Sequence, residues 1–112
     1  MRKAGAFWGL SLLAMTLACS PHPGKAFYAG SGCPACHGMD RSGTDKGPPL
    51  KDLRYVWTPE TMEAYLKDPA AYVARDKRLQ ALKQQYRTIM PKFELTDEER
   101  QLLIAYLLSQ EE

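Results

Sequence analysis

The chain has 112 residues, 45% of them in the AVILMFWYC set and 25% charged, which fits one globular domain and excludes general disorder. A formal net charge of +2 is too small for a strongly basic nucleic-acid binder. The length leaves no room for a β/α barrel or a full doubly wound sheet, and there is no internal repeat or low-complexity tract.

Residues 1–18 read as an export signal. Arg2 and Lys3 supply the positive start, and Ala4 to Ala18 run fifteen residues without a charge. That is shorter than the roughly 20 residues of a membrane span, and Ala18 is a small residue before a cut. A retained anchor helix is the alternative. The cut would fall before Cys19, which resembles the lipid-acceptor cysteine of bacterial lipoproteins. The Leu usual three residues earlier is replaced by Thr16, with Leu17 one place late. If lipidated, Cys19 would hold the domain at a membrane surface by acyl-chain burial. If not, it is an exposed thiol in an oxidising compartment. From Cys19 onward 94 residues remain, with thirteen Lys and Arg against thirteen Asp and Glu. Chains of this size often need a disulfide, a metal or a cofactor to complete the core.

Turn residues from Ser20 to Gly24 mark 19–23 as a linker and 24–112 as the folded domain. A short helix is expected from Lys25 to about Gly32, on Ala26, Phe27, Tyr28 and Ala29. Residues 38–57 carry Gly38, Gly43, Gly47, Pro48 and Pro49 and should be irregular; so long a loop in a small domain implies something bound within it. Thr58-Pro59 signals the start of a helix through Met62, Tyr65 and Leu66, which must end before Pro69. One longer helix is predicted from Ala70 to about Tyr86, on Tyr72, Val73, Leu79, Leu82 and Tyr86. Thr96-Asp97-Glu98-Glu99 is a capping box before an apolar run from Leu102 to Leu108. That last helix, apolar nearly all round, should be buried on more than one side. No alternation supports a strand, so the fold class is all-α, with about four helices and long loops.

Cys33-Pro34-Ala35-Cys36-His37 is C-x-x-C-H. Two thiols three positions apart can each add to one vinyl group of a single haem, and the adjacent histidine is then held under the iron. Two other uses of the cysteines stand beside this one. A disulfide-exchange site would need a βαβ pattern that is absent. A zinc site could draw on Cys19 and His22 with Cys33 and Cys36, but leaves His37 unexplained.

The chain resembles the class I monohaem cytochrome c family from Gly24 to Ser109. The matching stretches, in order, are Gly24-Lys25-Ala26-Phe27-Tyr28, then Gly32 through Gly38, then Gly47-Pro48-Pro49-Leu50, then Met90-Pro91, then Ala105-Tyr106-Leu107. The resemblance implies helices wrapped around one covalently attached haem c, with Cys33 and Cys36 as thioethers and the first helix crossing the last. Gly24 and Tyr28 would lie at that crossing, near Tyr106. His37 would be the proximal iron ligand, with the Pro48 carbonyl accepting its other N–H and with Leu50 and Leu53 against the ring. Arg54, Tyr55 and Trp57 are candidates to reach the propionates.

Three methionines compete for the sixth position. Met39 is two residues past His37, too close to reach the opposite face, and Met62 sits at a core-like helix position. Met90 precedes Pro91 in a loop, where the family places its distal iron ligand. Thioether sulfur favours Fe(II) and raises the potential, and two filled axial positions leave no place for a small-molecule substrate at iron.

The expected function is therefore an exported, periplasmic or membrane-surface cytochrome that passes single electrons between redox partners and is not itself an enzyme. A dedicated haem subunit of a larger redox enzyme is the alternative. A haem sensor or small peroxidase would need an open sixth position. Basic residues dominate from Lys67 to Lys92, namely Lys67, Arg75, Lys77, Arg78, Lys83, Arg87 and Lys92, and acidic ones from Glu94 to Glu112. The basic segment offers a docking face for an acidic partner, or simply a solvated helix face.

Overall fold

The structure is a computed structural model that describes residues 22–109, with Gly5 and Gly9. Apart from those two glycines, residues 1–18, expected to be an export signal, lie outside the described residues, as does Cys19. Among the described residues there are six α-helices and no strand, which bears out the all-α class with more helices than expected.

α1 (Pro23–Gly30) begins earlier than the sequence implied, because the His22 imidazole accepts from the Gly24 amide at 3.0 Å and Pro23 takes the first helical position. α2 (Pro34–His37) is one turn that carries most of the C-x-x-C-H motif. A 3-10 turn (Leu53–Tyr55) interrupts the long loop. α3 (Pro59–Lys67) starts at a reciprocal cap between Thr58 and Thr61.

The single helix expected from Ala70 to Tyr86 is two: α4 (Pro69–Val73) and α5 (Lys77–Gln85). Asp76 ends the continuity. Its backbone is extended and its carboxylate caps the Leu79 amide at 3.0 Å, so the chain restarts a helix there. α6 (Asp97–Leu108) opens on the Thr96–Glu99 capping box, with Asp97, Glu98 and Glu99 in its first turn.

α1 and α6 pack so tightly that a Cβ on Gly24 would stand 2.0 Å from the Leu102 carbonyl oxygen. The Tyr28 and Tyr106 rings meet beside this contact with centroids 5.6 Å apart. α6 buries Arg100, Leu103, Ile104, Tyr106 and Leu107 against α1, α3 and the 3-10 turn, so it is covered on more than one side as expected, while Leu102 and Ala105 remain exposed. Met62 and Leu66 of α3 and Leu79 of α5 join Leu103, Ile104 and Leu107 in the core. No helix among the described residues is long and apolar enough to cross a membrane.

Candidate haem-binding site

α2 sets the three residues of the motif within one turn. Cys33 precedes it and is buried, Cys36 is half-buried within it, and both are free thiols. Burial pushes the Cys33 thiol up to about 11. The 38–50 loop folds back over this turn. The Gly43 amide donates to the His37 carbonyl at 2.8 Å, and the Thr44 hydroxyl donates to the Cys36 carbonyl at 2.6 Å. Gly47 lies so close that a Cβ there would be 2.9 Å from the Cys36 carbonyl oxygen.

That close approach delivers Pro48 to His37. The His37 Nδ1 and the Pro48 carbonyl oxygen are 2.8 Å apart. Since a carbonyl can only accept, Nδ1 carries the proton and Nε2 keeps its lone pair. Burial lowers the His37 pKa, against an opposing pull from Pro48, which favours the neutral, ligating form. On the same loop the Gly38 carbonyl accepts from the Tyr28 hydroxyl at 2.5 Å, which ties the motif to the α1–α6 crossing.

Met90 lies between α5 and α6, half-buried, and its Sδ accepts from the Tyr65 hydroxyl of α3 at 3.1 Å. Met39 is 65% exposed and Met62 is 3% exposed in the core, so of the three Met90 alone has its sulfur held by a buried-side donor outside the core. Tyr65 belongs to an aromatic trio with Trp57 and Tyr72, with ring centroids 5.1 to 5.9 Å apart. Burial raises the Tyr65 pKa, so the hydroxyl stays protonated and able to donate.

Arg54, Tyr55 and Trp57 separate. Trp57 is buried under the Arg78 guanidinium, whereas Arg54 lies over the exposed Tyr55 ring and donates to its hydroxyl at 2.7 Å. His22 caps α1 and leans on Tyr106, and no cluster of three or more His, Cys, Asp or Glu side chains suited to a metal occurs among the described residues. The zinc alternative includes Cys19, which lies outside the described residues.

Two buried arginines escaped sequence reasoning. Arg41, 2% exposed, donates to the Tyr106 and Leu107 carbonyls at 3.1 and 3.4 Å, and lies over the Tyr106 ring. It thereby joins Ser109 in capping the carbonyls of the last turn of α6. Its backbone has φ 62° and accepts from Leu50 at 2.9 Å, which anchors the loop that carries Pro48. Arg100 is likewise buried. Charged residues in a sequence are read as surface, and nothing in either neighbourhood marks them otherwise.

The cytochrome c family model matches residues 22–111. The chain belongs to the cytochrome c family. No curated protein and no solved structure matched it. The family binds covalently attached haem c with iron and transfers electrons, and redox proteins are its partners. The residues present fit that group. Two free thiols are spaced for two thioethers, an imidazole has its Nδ1 engaged, and a thioether sulfur is held from α3. Leu50, Leu53, Tyr65, Leu82 and Met90 are partly buried against the core and offer apolar surface for a porphyrin to cover.

Proposed function

We propose that this cytochrome c is an exported one-electron carrier in which Cys33 and Cys36 hold the haem and His37 and Met90 are the axial ligands. The observation that carries this reading is the 2.8 Å contact between His37 Nδ1 and the Pro48 carbonyl, adjacent to the two thiols. It orients the ring and raises the basicity of Nε2, the nitrogen left for iron. Bound haem supplies a reversible Fe(III)/Fe(II) couple. The chain's part would be to offer His37 and Met90 as ligands, so that no small molecule need bind the iron. Pro48 would steady His37 through its carbonyl, Leu50 would offer apolar surface beside it, and Tyr65 would hold the Met90 sulfur.

The charged start and uncharged run of residues 1–18 support export to the periplasm or the outer face of the cell membrane, with a lipid on Cys19 as the means of attachment there. The partner is a redox protein with an acidic docking surface. Lys77, Arg78 and Lys83 of α5 are exposed, as are Lys67 and Arg75 on neighbouring elements. Arg78 and Arg75 lie over Trp57 and Tyr72, which holds their charge against the aromatic trio and presents it outward.

Absorption spectra of the purified protein, oxidised and reduced, test the assignment together with Met90→Ala. The native protein should be low-spin and six-coordinate, with a methionine–iron charge-transfer band and no carbon monoxide binding when reduced. Met90→Ala should lose the band and bind carbon monoxide. A Met90→Ala variant that kept the methionine signature would remove Met90 from the site.

A further inference from the structure

The segment that bears Met90 is held by few bonds. No backbone hydrogen bond joins residues 87–92 to another described residue, and Arg87, Thr88, Ile89, Pro91 and Lys92 are exposed. Such a segment has little local stability of its own. Its position must come from side chains at its margins.

Those side chains converge on one guanidinium. Arg100, 7% exposed, donates from Nε to Glu63 at 3.0 Å and from Nη1 to the Leu95 carbonyl at 3.1 Å, and Nη2 pairs with Asp97. Leu95 ends the Met90 segment. Glu63 sits on α3, two residues before Tyr65, whose hydroxyl holds the Met90 sulfur at 3.1 Å. Positions two apart on a helix leave it on opposite sides, so α3 reaches α6 through Glu63 and Met90 through Tyr65. The contacts close a circuit from Met90 through Tyr65, Glu63 and Arg100 to Leu95 and back along the chain. The guanidinium serves it with a different nitrogen for each of three acceptors, held in a rigid planar fork. The Arg100 side chain is 8% exposed and Glu63 27%, so their pair is partly shielded from solvent, whereas Asp97 is 80% exposed and its pair with Arg100 is screened.

We propose that Arg100 is a positioning residue that pins both margins of the Met90 segment and so sets how readily an outside ligand takes the place of Met90. This rests on Met90 as the distal ligand. Breaking the circuit releases the Leu95 end and removes the polar tie between Glu63 and α6, leaving only the apolar contacts of Met62 and Leu66 to hold α3 there, which favours the state with Met90 withdrawn.

Imidazole binding to the ferric, haem-loaded protein measures that equilibrium. Arg100→Met should bind imidazole about tenfold more tightly than the native protein, the effect of losing one buried charge-assisted bond. Glu63→Gln should move the affinity in the same direction by a smaller factor. Thr58→Ala, which removes the cap of α3 and leaves the circuit intact, should lower the melting temperature without changing imidazole affinity. An Arg100→Met affinity within twofold of the native value, or an equal rise in Thr58→Ala, overturns the proposal. Should Arg100→Met fail to fold, an unchanged affinity in Glu63→Gln overturns it equally. Met90→Ala separates the two ideas. Native imidazole affinity in that variant defeats the ligand assignment, whereas a large rise there beside no change at Arg100 and Glu63 defeats only the circuit.

Discussion

At the scale of single residues, the site depends on what each donor atom has left to give. The His37 Nδ1 is spent on Pro48, and the Met90 Sδ already accepts one hydrogen bond from Tyr65. A hydroxyl donating to a thioether draws density from the lone pair that sulfur would share with iron. Tyr65→Phe should therefore make Met90 a stronger donor to Fe(III) and lower the reduction potential, as measured by redox titration. A raised potential in that variant would mean that Tyr65 acts on the site by another route. The sequence displayed Cys33, Cys36 and His37 because their spacing is itself the chemistry. Tyr65 was legible only as a helix aromatic beside Met62 and Leu66, since a contact with Met90 spans twenty-five positions. Arg41 and Arg100 were not legible at all, because a charge is buried by long-range partners that a local pattern does not contain.

At the scale of elements, local signals fixed the helix ends they touch directly. Thr58-Pro59 and Thr96 with Glu99 start α3 and α6, and Pro69 follows the end of α3. Asp76 divides the helix expected from Ala70 to Tyr86. The apolar periodicity from Tyr72 to Leu82 runs through it, but its carboxylate satisfies the Leu79 amide better as a cap than as a residue inside a helix. The α1–α6 crossing is the least forgiving contact. A Cβ on Gly24 would meet Leu102 backbone and the Tyr106 Cβ, neither of which is the end of a flexible side chain. Gly24→Ala should cost about 3 kcal/mol, the upper range for overpacking, and be read as a lower melting temperature. An unchanged melting temperature would show that the two helices can separate freely. Arg41 and Arg100 bear on opposite ends of α6, one tied to the loop that carries Pro48 and the other to the segment that carries Met90. The same twelve-residue helix thus references both sides of the site.

For the molecule as a whole, charge is balanced in sum and divided in place. Basic residues gather from Lys67 to Lys92 and acidic ones near α6. Electron exchange with an acidic redox partner should slow as salt is raised, because attraction between exposed charges is screened over about 10 Å at 0.1 M. A rate independent of ionic strength would assign the basic segment to solvation alone. Residues 38–50 of the long loop wrap back on α2, with Gly43 bonded to His37 and Gly47 pressed against Cys36. The mass of the polypeptide under denaturing conditions, after expression in a host competent in haem attachment, is the most direct test of all. The account predicts one haem retained on the unfolded chain and lost when Cys33 and Cys36 are both replaced by Ala. A chain that carries its own mass alone, with both thiols open to alkylation, would contradict it.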